Sequence, residues 1–346
     1  MNISLIGCGA WGMAIASHLA RQGHDVRVWA HSEAEAERLT RERSLPQAFP
    51  GIEFPESIYY TNDRREAIRG AGLIVFAVAS PYTRATAESF REAIGEGNRI
   101  VTVTKGIEEG TLLTQTDLLE VLLPGNEVAA LSGPTHAEEV IRSMPTAIVA
   151  AAKSREFAEF IQDAFMSETF RVYTSPDVLG VELGGSLKNV IALAAGMLDG
   201  IGYGDNIKAA LITRGIHEIS RLAIAMGARP GTLQGLSGMG DLIVTCASMH
   251  SRNRRAGILI GQGKTADEAM AEVGQIVEGV YSAKAAIALA GKYKTPLPII
   301  EEVDKVLFEG ESAKDAVRAL MIRERKMENA LTQEDLPEYW RSDNSR

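Results

Sequence analysis

The stretch Asn2-Ile-Ser-Leu-Ile-Gly-Cys-Gly-Ala-Trp-Gly12 restricts the possible folds of this chain more than any other. An apolar run ends in Gly7-x-Gly9-x-x-Gly12, a helical pattern runs on to Gln22, Gly23-His-Asp turns the chain, and Val26–Trp29 reads as a second strand. Gly-x-Gly-x-x-Gly between a strand and a helix, inside a βαβ unit of about 30 residues, marks a dinucleotide-binding fold. Gly7 permits the tight turn, Gly9 lets the backbone approach a pyrophosphate at the helix N-terminus, and Gly12 allows close packing of helix on strand. A glycine turn without a ligand is the plainer alternative, and the strand–turn–helix context argues against it.

The tip of the second strand bears on the choice of cofactor. An NAD site usually carries an acid there for the ribose hydroxyls, whereas an NADP site offers cations to the 2′-phosphate. This chain has Ala30-His31-Ser32-Glu33. His31 is placed to contact a 2′-phosphate or to cap the next helix, and Glu33 is a candidate ribose partner, so NAD(H) and NADP(H) both remain open.

A helix is expected over Glu33–Glu42, then a surface excursion punctuated by Pro46, Pro50, Gly51 and Pro55, and a short Tyr59-Tyr60 segment. Regular alternation follows: helix Arg64–Arg69, strand Leu73–Val78, helix from Pro81, strand Arg99–Thr104, helix Leu112–Leu122, strand Val128–Leu131. Strands at Thr146–Ala152 and Arg171–Tyr173 flank an amphipathic helix over Ser154–Met166. From Asp177 to Met321 nearly every segment has helical periodicity, with no convincing strand. The expected architecture is an α/β Rossmann-type domain over 1–180, an all-helical domain over 181–330 and a loose polar tail over 331–346.

Composition narrows the partners. Hydrophobic residues at 45% and charged residues at 23% suit a buried core and exclude long disorder. A net charge of −9 disfavours nucleic acid or an anionic membrane, so an anionic substrate needs a local basic cluster. Cys8 and Cys246 lie in unrelated contexts and read as reduced thiols. No metal-ligand spacing of His or Cys occurs. The start of the chain lacks a basic region before an apolar segment and is not expected to be a signal peptide. No apolar run is expected to be long enough to span a bilayer.

The helical half carries one conspicuous charge. Lys188 stands in Leu183-Gly-Gly-Ser-Leu-Lys-Asn-Val-Ile-Ala, where burial lowers a lysine pKa toward neutrality. Gly184-Gly185-Ser186 reads as a turn and N-cap, which adds the helix dipole to that effect. Such a lysine suits proton transfer, unless its stem merely packs while its head reaches water. Lys105, in Thr104-Lys105-Gly106, is a cation at a strand end, either for a negative substrate or solvated. Gly235-Leu-Ser-Gly-Met-Gly-Asp241 delivers an aspartate able to bond a lysine, or to cap the following helix. Ser251-Arg-Asn-Arg-Arg255 puts cations and free amide groups at a helix N-terminus, a phosphate-type anion site in an acidic chain. Glu278 either reaches a cofactor or starts its helix favourably.

Gly-x-Gly-Ala-Trp-Gly, Thr-Lys-Gly-Ile-Glu, Leu-Ser-Gly-Pro-Thr-His-Ala-Glu-Glu, Gly-Gly-Ser-Leu-Lys-Asn-Val-Ile-Ala, Ile-Thr-Arg-Gly, Gly-Met-Gly-Asp-Leu and Ser-Arg-Asn-Arg occur in this order. Together they resemble the NAD(P)-dependent glycerol-3-phosphate dehydrogenases of the bacterial type, from residue 2 to about 330. The resemblance implies a two-domain architecture like that of 6-phosphogluconate dehydrogenase. It also implies reversible hydride transfer between a nicotinamide and dihydroxyacetone phosphate or sn-glycerol 3-phosphate, in the cytoplasm, for glycerophospholipid synthesis, by a homodimer without membrane insertion.

By the same resemblance, Lys188, Lys105 and Asp241 are the catalytic residues. Gly133, Thr135, Ser251, Arg252 and Asn253 join them in binding the substrate. Gly7, Gly9, Ala10, Trp11, Gly12, His31, Lys105, Ala137, Arg252, Ile276 and Glu278 contact the cofactor. The chain departs from the family pattern at Ala10, where serine is common, and at Ser32, where arginine is common. Both departures touch the cofactor side. The rivals are a related hydroxyacid or ketopantoate-type dehydrogenase, which has no need of the Ser251–Arg254 cluster, and a dinucleotide sensor without turnover, which has no need of the two lysines and the aspartate.

Overall fold

The computed structural model describes residues 1–325 and Glu328; the tail expected over 331–346 lies outside them. Eight strands form one sheet: β1 Asn2–Ile6, β2 Asp25–Trp29, β3 Tyr59–Thr61, β4 Leu73–Phe76, β5 Arg99–Thr102, β6 Glu127–Ser132, β7 Thr146–Ala151 and β8 Phe170–Ser175. Their order is β3-β2-β1-β4-β5-β6-β7-β8, parallel throughout except where β6 meets β7. The order doubles back at β1, and the crevice beyond the carboxyl ends of β1 and β4 is where such sheets take a ligand.

Helices cover both faces, as an almost wholly apolar parallel sheet requires. Their spans are α1 Ala10–Arg21, α2 Glu33–Glu42, α3 Arg64–Ile68, α4 Thr83–Ile94, α5 Gln115–Leu122, α6 Ala137–Val140 and α7 Arg155–Phe165. Met13 and Leu19 of α1, Leu39 of α2 and Phe157 of α7 fill one side of the sheet. Phe90 of α4 and Leu118 of α5 fill the other.

Two local expectations are corrected here. The excursion after α2 is more than a surface loop, because Phe49 and Phe54 are buried in the sheet's core with their rings edge to face. The helix expected from Leu112 starts at Gln115, since Leu112 has a φ of +62° and Thr114 caps the helix through the Asp117 amide. A leucine in the left-handed region cannot continue a right-handed helix.

Beyond β8 the structure is helical: α8 Val178–Ile201, α9 Asp205–Ala225, α10 Asp241–Ala247, α11 Arg252–Gly261, α12 Ala266–Val273, α13 Glu278–Tyr293, α14 Pro298–Phe308 and α15 Ala313–Met321. Helix α8 is the axis of this layer, buried from Gly180 to Leu198. It corrects two further expectations. At 24 residues it is long and apolar enough to cross a membrane, yet its neighbours enclose it as a core helix. It is also continuous through Gly184 and Gly185, capped instead by Asp177, which accepts from the Gly180 amide at 3.0 Å.

The two glycines serve close approach rather than a turn. A Cβ on Gly184 would lie 2.6 Å from the Ser237 carbonyl oxygen, and one on Gly185 2.5 Å from Ser132 Oγ. The sheet's edge and the loop before α10 can therefore press against α8. Further along, α11 packs on α8 with equal intimacy: a Cβ on Gly257 would come within 2.1 Å of the Leu193 carbonyl oxygen. Gly257→Ala should thus cost about 1–3 kcal/mol of unfolding free energy through overpacking. A urea titration would show it as a lower midpoint at unchanged slope.

Candidate active site

The glycine-rich turn has the geometry its spacing predicts. Gly7 has a φ of +112°, and a Cβ there would strike the Ala77 carbonyl oxygen at 2.7 Å. A Cβ on Gly12 would meet the Gly7 carbonyl oxygen at 2.2 Å, so α1 packs directly on the turn. Above Gly9 there is open space, and no side chain caps α1. The first amide groups of α1 are thus left for an anion. This cradle fits a dinucleotide pyrophosphate. Ala10 starts α1, and Trp11 beside it donates its indole N–H to the Val103 carbonyl at 3.3 Å, tying α1 to the end of β5.

At the tip of β2, His31 and Glu33 are exposed, and Ser32 caps α2 through the Glu35 amide. The acid beside the glycine turn is Glu35. Burial and the Glu35 carboxylate push the Cys8 thiol up to about 12. Cys246 is likewise raised to about 12 by burial. Neither thiol has the lowered pKa of a nucleophile.

The strand ends and the helical layer converge on one carboxylate. Asp241 Oδ1 accepts from Lys188 Nζ at 2.5 Å, and Asp241 Oδ2 accepts from Lys105 Nζ at 2.7 Å. Lys105 also donates to the Gly133 carbonyl at 2.9 Å, with Thr135 Oγ1 at 3.5 Å. Lys188 and Asp241 are buried, and Lys105 lies toward the cleft. The residues predicted as Lys188, Lys105, Asp241, Gly133 and Thr135 are therefore brought together. Asp241 opens α10 directly after a wide π-type turn over Leu236–Gly240. Turns of that kind recur where backbone is bent to present a functional group.

Burial lowers the Lys188 ammonium to about 8, with Asp241 pulling the other way and Lys105 adding to the fall. The helix dipole expected to contribute is absent, because Lys188 lies well inside α8 rather than in its first turn. Thr245, one turn after Asp241, escaped the sequence analysis. It accepts from Lys188 at 2.6 Å while donating its own proton to the Asp241 carbonyl at 2.6 Å. The four-residue spacing of an acid and a hydroxyl on one helix face was the available signal. His136 was also assigned no role. Burial, with Lys188 and Lys105 adding to it, lowers its pKa, and its ring lies 5.8 Å from that of His250.

The Ser251–Asn253 turn is joined to the same site. Ser251 caps α11 through the Arg254 amide. Asn253 donates to Asn189 Oδ1 at 2.9 Å, next to Lys188, and accepts from the Gly279 amide at 2.8 Å. One Asn253 amide hydrogen remains for a ligand. Arg252 is exposed and near enough to Glu278 to draw that carboxyl down against the upward push of burial. Arg254, expected among the phosphate cations, is instead committed behind the turn. Its Nε donates to Asp199 Oδ2 at 2.7 Å, and Lys208 pairs with the other oxygen. A guanidinium so neutralised braces the turn and adds little field in front of it.

Glu278 accepts from the Ser80 amide at 3.1 Å and from its hydroxyl at 2.5 Å, joining α13 to the loop after β4. Ala137 begins α6, and Ile276 is half-buried just before α13. Together these residues border a cleft between the carboxyl ends of β1, β4, β5 and β6 and the helical layer. The cleft holds a glycine-rich turn with uncapped α1 amides, a buried lysine whose pKa is lowered to about 8, and the Ser251–Asn253 turn.

The pairing makes unequal demands on its members. Asp241→Ala leaves a buried ammonium without its counter-charge and should cost about 3–5 kcal/mol of stability. Lys188→Met removes the buried charge itself and leaves Asp241 paired with Lys105. It should therefore cost much less in the same denaturation experiment.

The family described as NAD-dependent glycerol-3-phosphate dehydrogenase matches this chain twice, by its N-terminus over residues 2–158 and its C-terminus over residues 177–318. The glycerol-3-phosphate dehydrogenase (NAD(P)+) of Agathobacter rectalis is 57% identical over 329 residues, covering 95% of this chain and 98% of that protein. The protein of the same description from Fusobacterium nucleatum is 53% identical over 330 residues, covering 95% and 98%. The crystal structure of a Coxiella burnetii glycerol-3-phosphate dehydrogenase matches with a TM-score of 0.89 at 35% identity, covering 93% of this chain and 99% of that one.

Proposed function

The chain belongs to the NAD-dependent glycerol-3-phosphate dehydrogenase family, and from that premise we propose that Lys188 is its proton donor and acceptor, with Ser251, Arg252 and Asn253 as the substrate's phosphate site. The activity is NAD(P)-dependent oxidoreduction of glycerol 3-phosphate. Its reverse reduces the carbonyl of dihydroxyacetone phosphate. The observation that carries the assignment is the Asp241 carboxylate shared between Lys188 and Lys105.

An ammonium has three N–H groups. Asp241 and Thr245 accept two from Lys188, and the third is left for the oxygen of the reacting carbon. When bound, the nicotinamide supplies or takes the hydride at that carbon. Lys188 gives the proton to the oxygen in reduction and removes it in oxidation. With its pKa lowered to about 8, both protonation states are within reach of neutral pH. Lys105, held by Gly133 and Asp241, adds positive charge where the oxygen becomes negative. Arg252, the amide groups at the start of α11 and the remaining Asn253 hydrogen take the phosphate. Binding energy from that remote group fixes the carbonyl against Lys188.

Gly7, Gly9, Ala10, Trp11, Gly12, His31, Ala137, Ile276 and Glu278 are the proposed cofactor contacts, with Lys105 and Arg252 shared between cofactor and substrate. Homodimeric assembly, a cytoplasmic location and supply of glycerophospholipid synthesis belong to the same proposal. Two buried cysteines, each free, support a reducing compartment.

Lys188→Met should lower turnover by orders of magnitude while the NADH dissociation constant, read by fluorescence titration, stays the same. Near-normal turnover in that variant would remove Lys188 from the reaction. In the wild type, reduction needs the protonated lysine and should decline above about pH 8, whereas oxidation should rise through the same range. Arg252→Ala, assayed at saturating NADH, should raise the KM for dihydroxyacetone phosphate far more than that for unphosphorylated dihydroxyacetone. Preference for ketopantoate over the phosphorylated substrate would favour the rival dehydrogenase.

A further inference from the structure

A dinucleotide whose pyrophosphate sits at the glycine turn brings its adenosine ribose over the carboxyl end of β2. NADP(H) and NAD(H) differ only there, in a 2′-phosphate or a 2′-hydroxyl. An acid at the strand end suits the hydroxyl, and an arginine nearby suits the phosphate.

Strand β2 ends at Trp29, whose buried indole is a platform for two basic side chains from neighbouring strand ends. His31, two residues further on, has its ring 6.0 Å from that indole at 37°. Arg64, the first residue of α3 after β3, has its guanidinium carbon 5.8 Å from the centre of the same ring. Trp29 pairs with Thr61 in the β2–β3 register, so the two strand tips lie side by side. The platform is fixed on two sides. Its indole N–H donates to the Asn62 carbonyl at 3.0 Å, and its ring meets Phe90 edge to face at 5.1 Å.

Arg64 is held in place yet not neutralised. Its Nε donates to Ser89 Oγ of α4 at 3.1 Å, and among the described residues no carboxylate pairs with it. That leaves the four N–H groups of its two terminal nitrogens for a ligand. Neighbouring acids are engaged elsewhere. Asp63 caps α3 through the Glu66 amide at 2.9 Å, with Arg65 and Arg69 close by. Glu66 accepts from the Tyr59 and Thr61 hydroxyls at 2.9 Å each. Glu35 lies against the Cys8 thiol, and Glu33 is exposed at the start of α2. A guanidinium on an indole gives up water on one face and keeps its edge for paired hydrogen bonds to a phosphate.

We propose that Arg64, with His31 on the same indole, is the site of the cofactor's 2′-phosphate and makes NADP(H) the preferred cofactor. This assignment rests on the reading of Gly7–Gly12 as the cofactor turn. A 2′-phosphate meets a guanidinium there and an imidazole that its own charge keeps protonated. NAD(H) offers only a hydroxyl at that point and gains little from either cation.

Dissociation constants, read from the fluorescence of the reduced dinucleotides, test this without turnover. The wild type should bind NADPH about tenfold or more tightly than NADH, as expected of charge-assisted hydrogen bonds. Arg64→Ala should raise the NADPH constant about 10- to 100-fold and move that of NADH less than about twofold, while Arg64→Lys recovers part of the loss. Adenosine 2′,5′-bisphosphate should displace NADPH from the wild type far better than adenosine 5′-monophosphate, and Arg64→Ala should abolish that advantage. Equal binding of both cofactors by the wild type, or an equal loss of both in Arg64→Ala, overturns the proposal and leaves the cofactor turn standing. Tighter binding of NADH that Glu33→Gln or Glu35→Gln weakens makes an acid of α2 the selector, and the proposal falls. If the wild type binds neither dinucleotide, the reading of Gly7–Gly12 falls and takes the proposal with it.

Discussion

The carboxylate of Asp241 is the point on which the rest of the site depends. It is buried and gives one oxygen to Lys188 and the other to Lys105. Taking an ammonium and a carboxylate out of water costs several kcal/mol for each, and close pairing offsets this only when the geometry is good. Two cations on one anion satisfy both oxygens and leave a net positive charge in the cleft. That surplus suits a substrate carrying a phosphate. Because Lys105 comes from the end of β5 while Lys188 and Asp241 come from α8 and α10, the same contact welds the helical layer to the sheet.

The surrounding backbone is shaped to let these charges meet. Gly184 and Gly185 admit the loop before α10 and the end of β6 against α8, and Gly106 lets the loop after β5 approach Ser80. Ser80 is in turn held by Glu278 of α13. From there the network passes through the Gly279 amide to Asn253, and from Asn253 to Asn189 beside Lys188. The Ser251–Asn253 turn proposed for the phosphate, the neighbour of the lysine proposed for proton transfer and the proposed cofactor contact Glu278 are consequently linked by a few hydrogen bonds and chain neighbours. In the proposed function this chain of contacts ties the turn that would hold a phosphate to the helix that carries Lys188, so a bound phosphate would set the position of the reacting carbon.

Much of this was legible in the sequence, for identifiable reasons. The Rossmann half follows from apolar runs of strand length, separated by helical patterns and punctuated by glycine; all seven expected strands are present, and the short Tyr59-Tyr60 segment supplies an eighth. Site residues at strand ends, such as Lys105 and Gly133, follow from the rule that open α/β sheets bind ligands there. The failures share one cause, which is that a residue type states a capability and not its partner. Paired glycines at 184 and 185 signalled a turn, but a glycine serves close approach as readily as a positive φ. Arg254 signalled phosphate, yet its partner Asp199 stands 55 positions away. Thr245 offered only its four-residue spacing from Asp241, a signal that has meaning once α10 is known to carry both. Phe49 and Phe54 fell in a stretch whose prolines suggested surface.

Helix α8 shows why charges sit in so apolar an element. Hydrophobic contact alone is non-directional, and a uniformly apolar helix of 24 residues has little to fix its rotation or its register. Three ionisable residues supply what is missing. Glu182 accepts from the Thr116 amide at 2.9 Å and from its hydroxyl, fastening α8 to the first turn of α5. Lys188 meets Asp241 of α10, and Asp199 meets Arg254 of α11 and Lys208 of α9. Slipping α8 by one residue turns each of these side chains by about 100° and strands all three at once. The stranded Lys188 would carry the penalty of an unpaired buried ion, and Glu182 and Asp199 would lose their hydrogen-bond partners, whereas the apolar contacts would lose comparatively little. The polar residues thus select one register from many that are nearly equal in apolar contact, and that register is the one in which Lys188 faces the cleft.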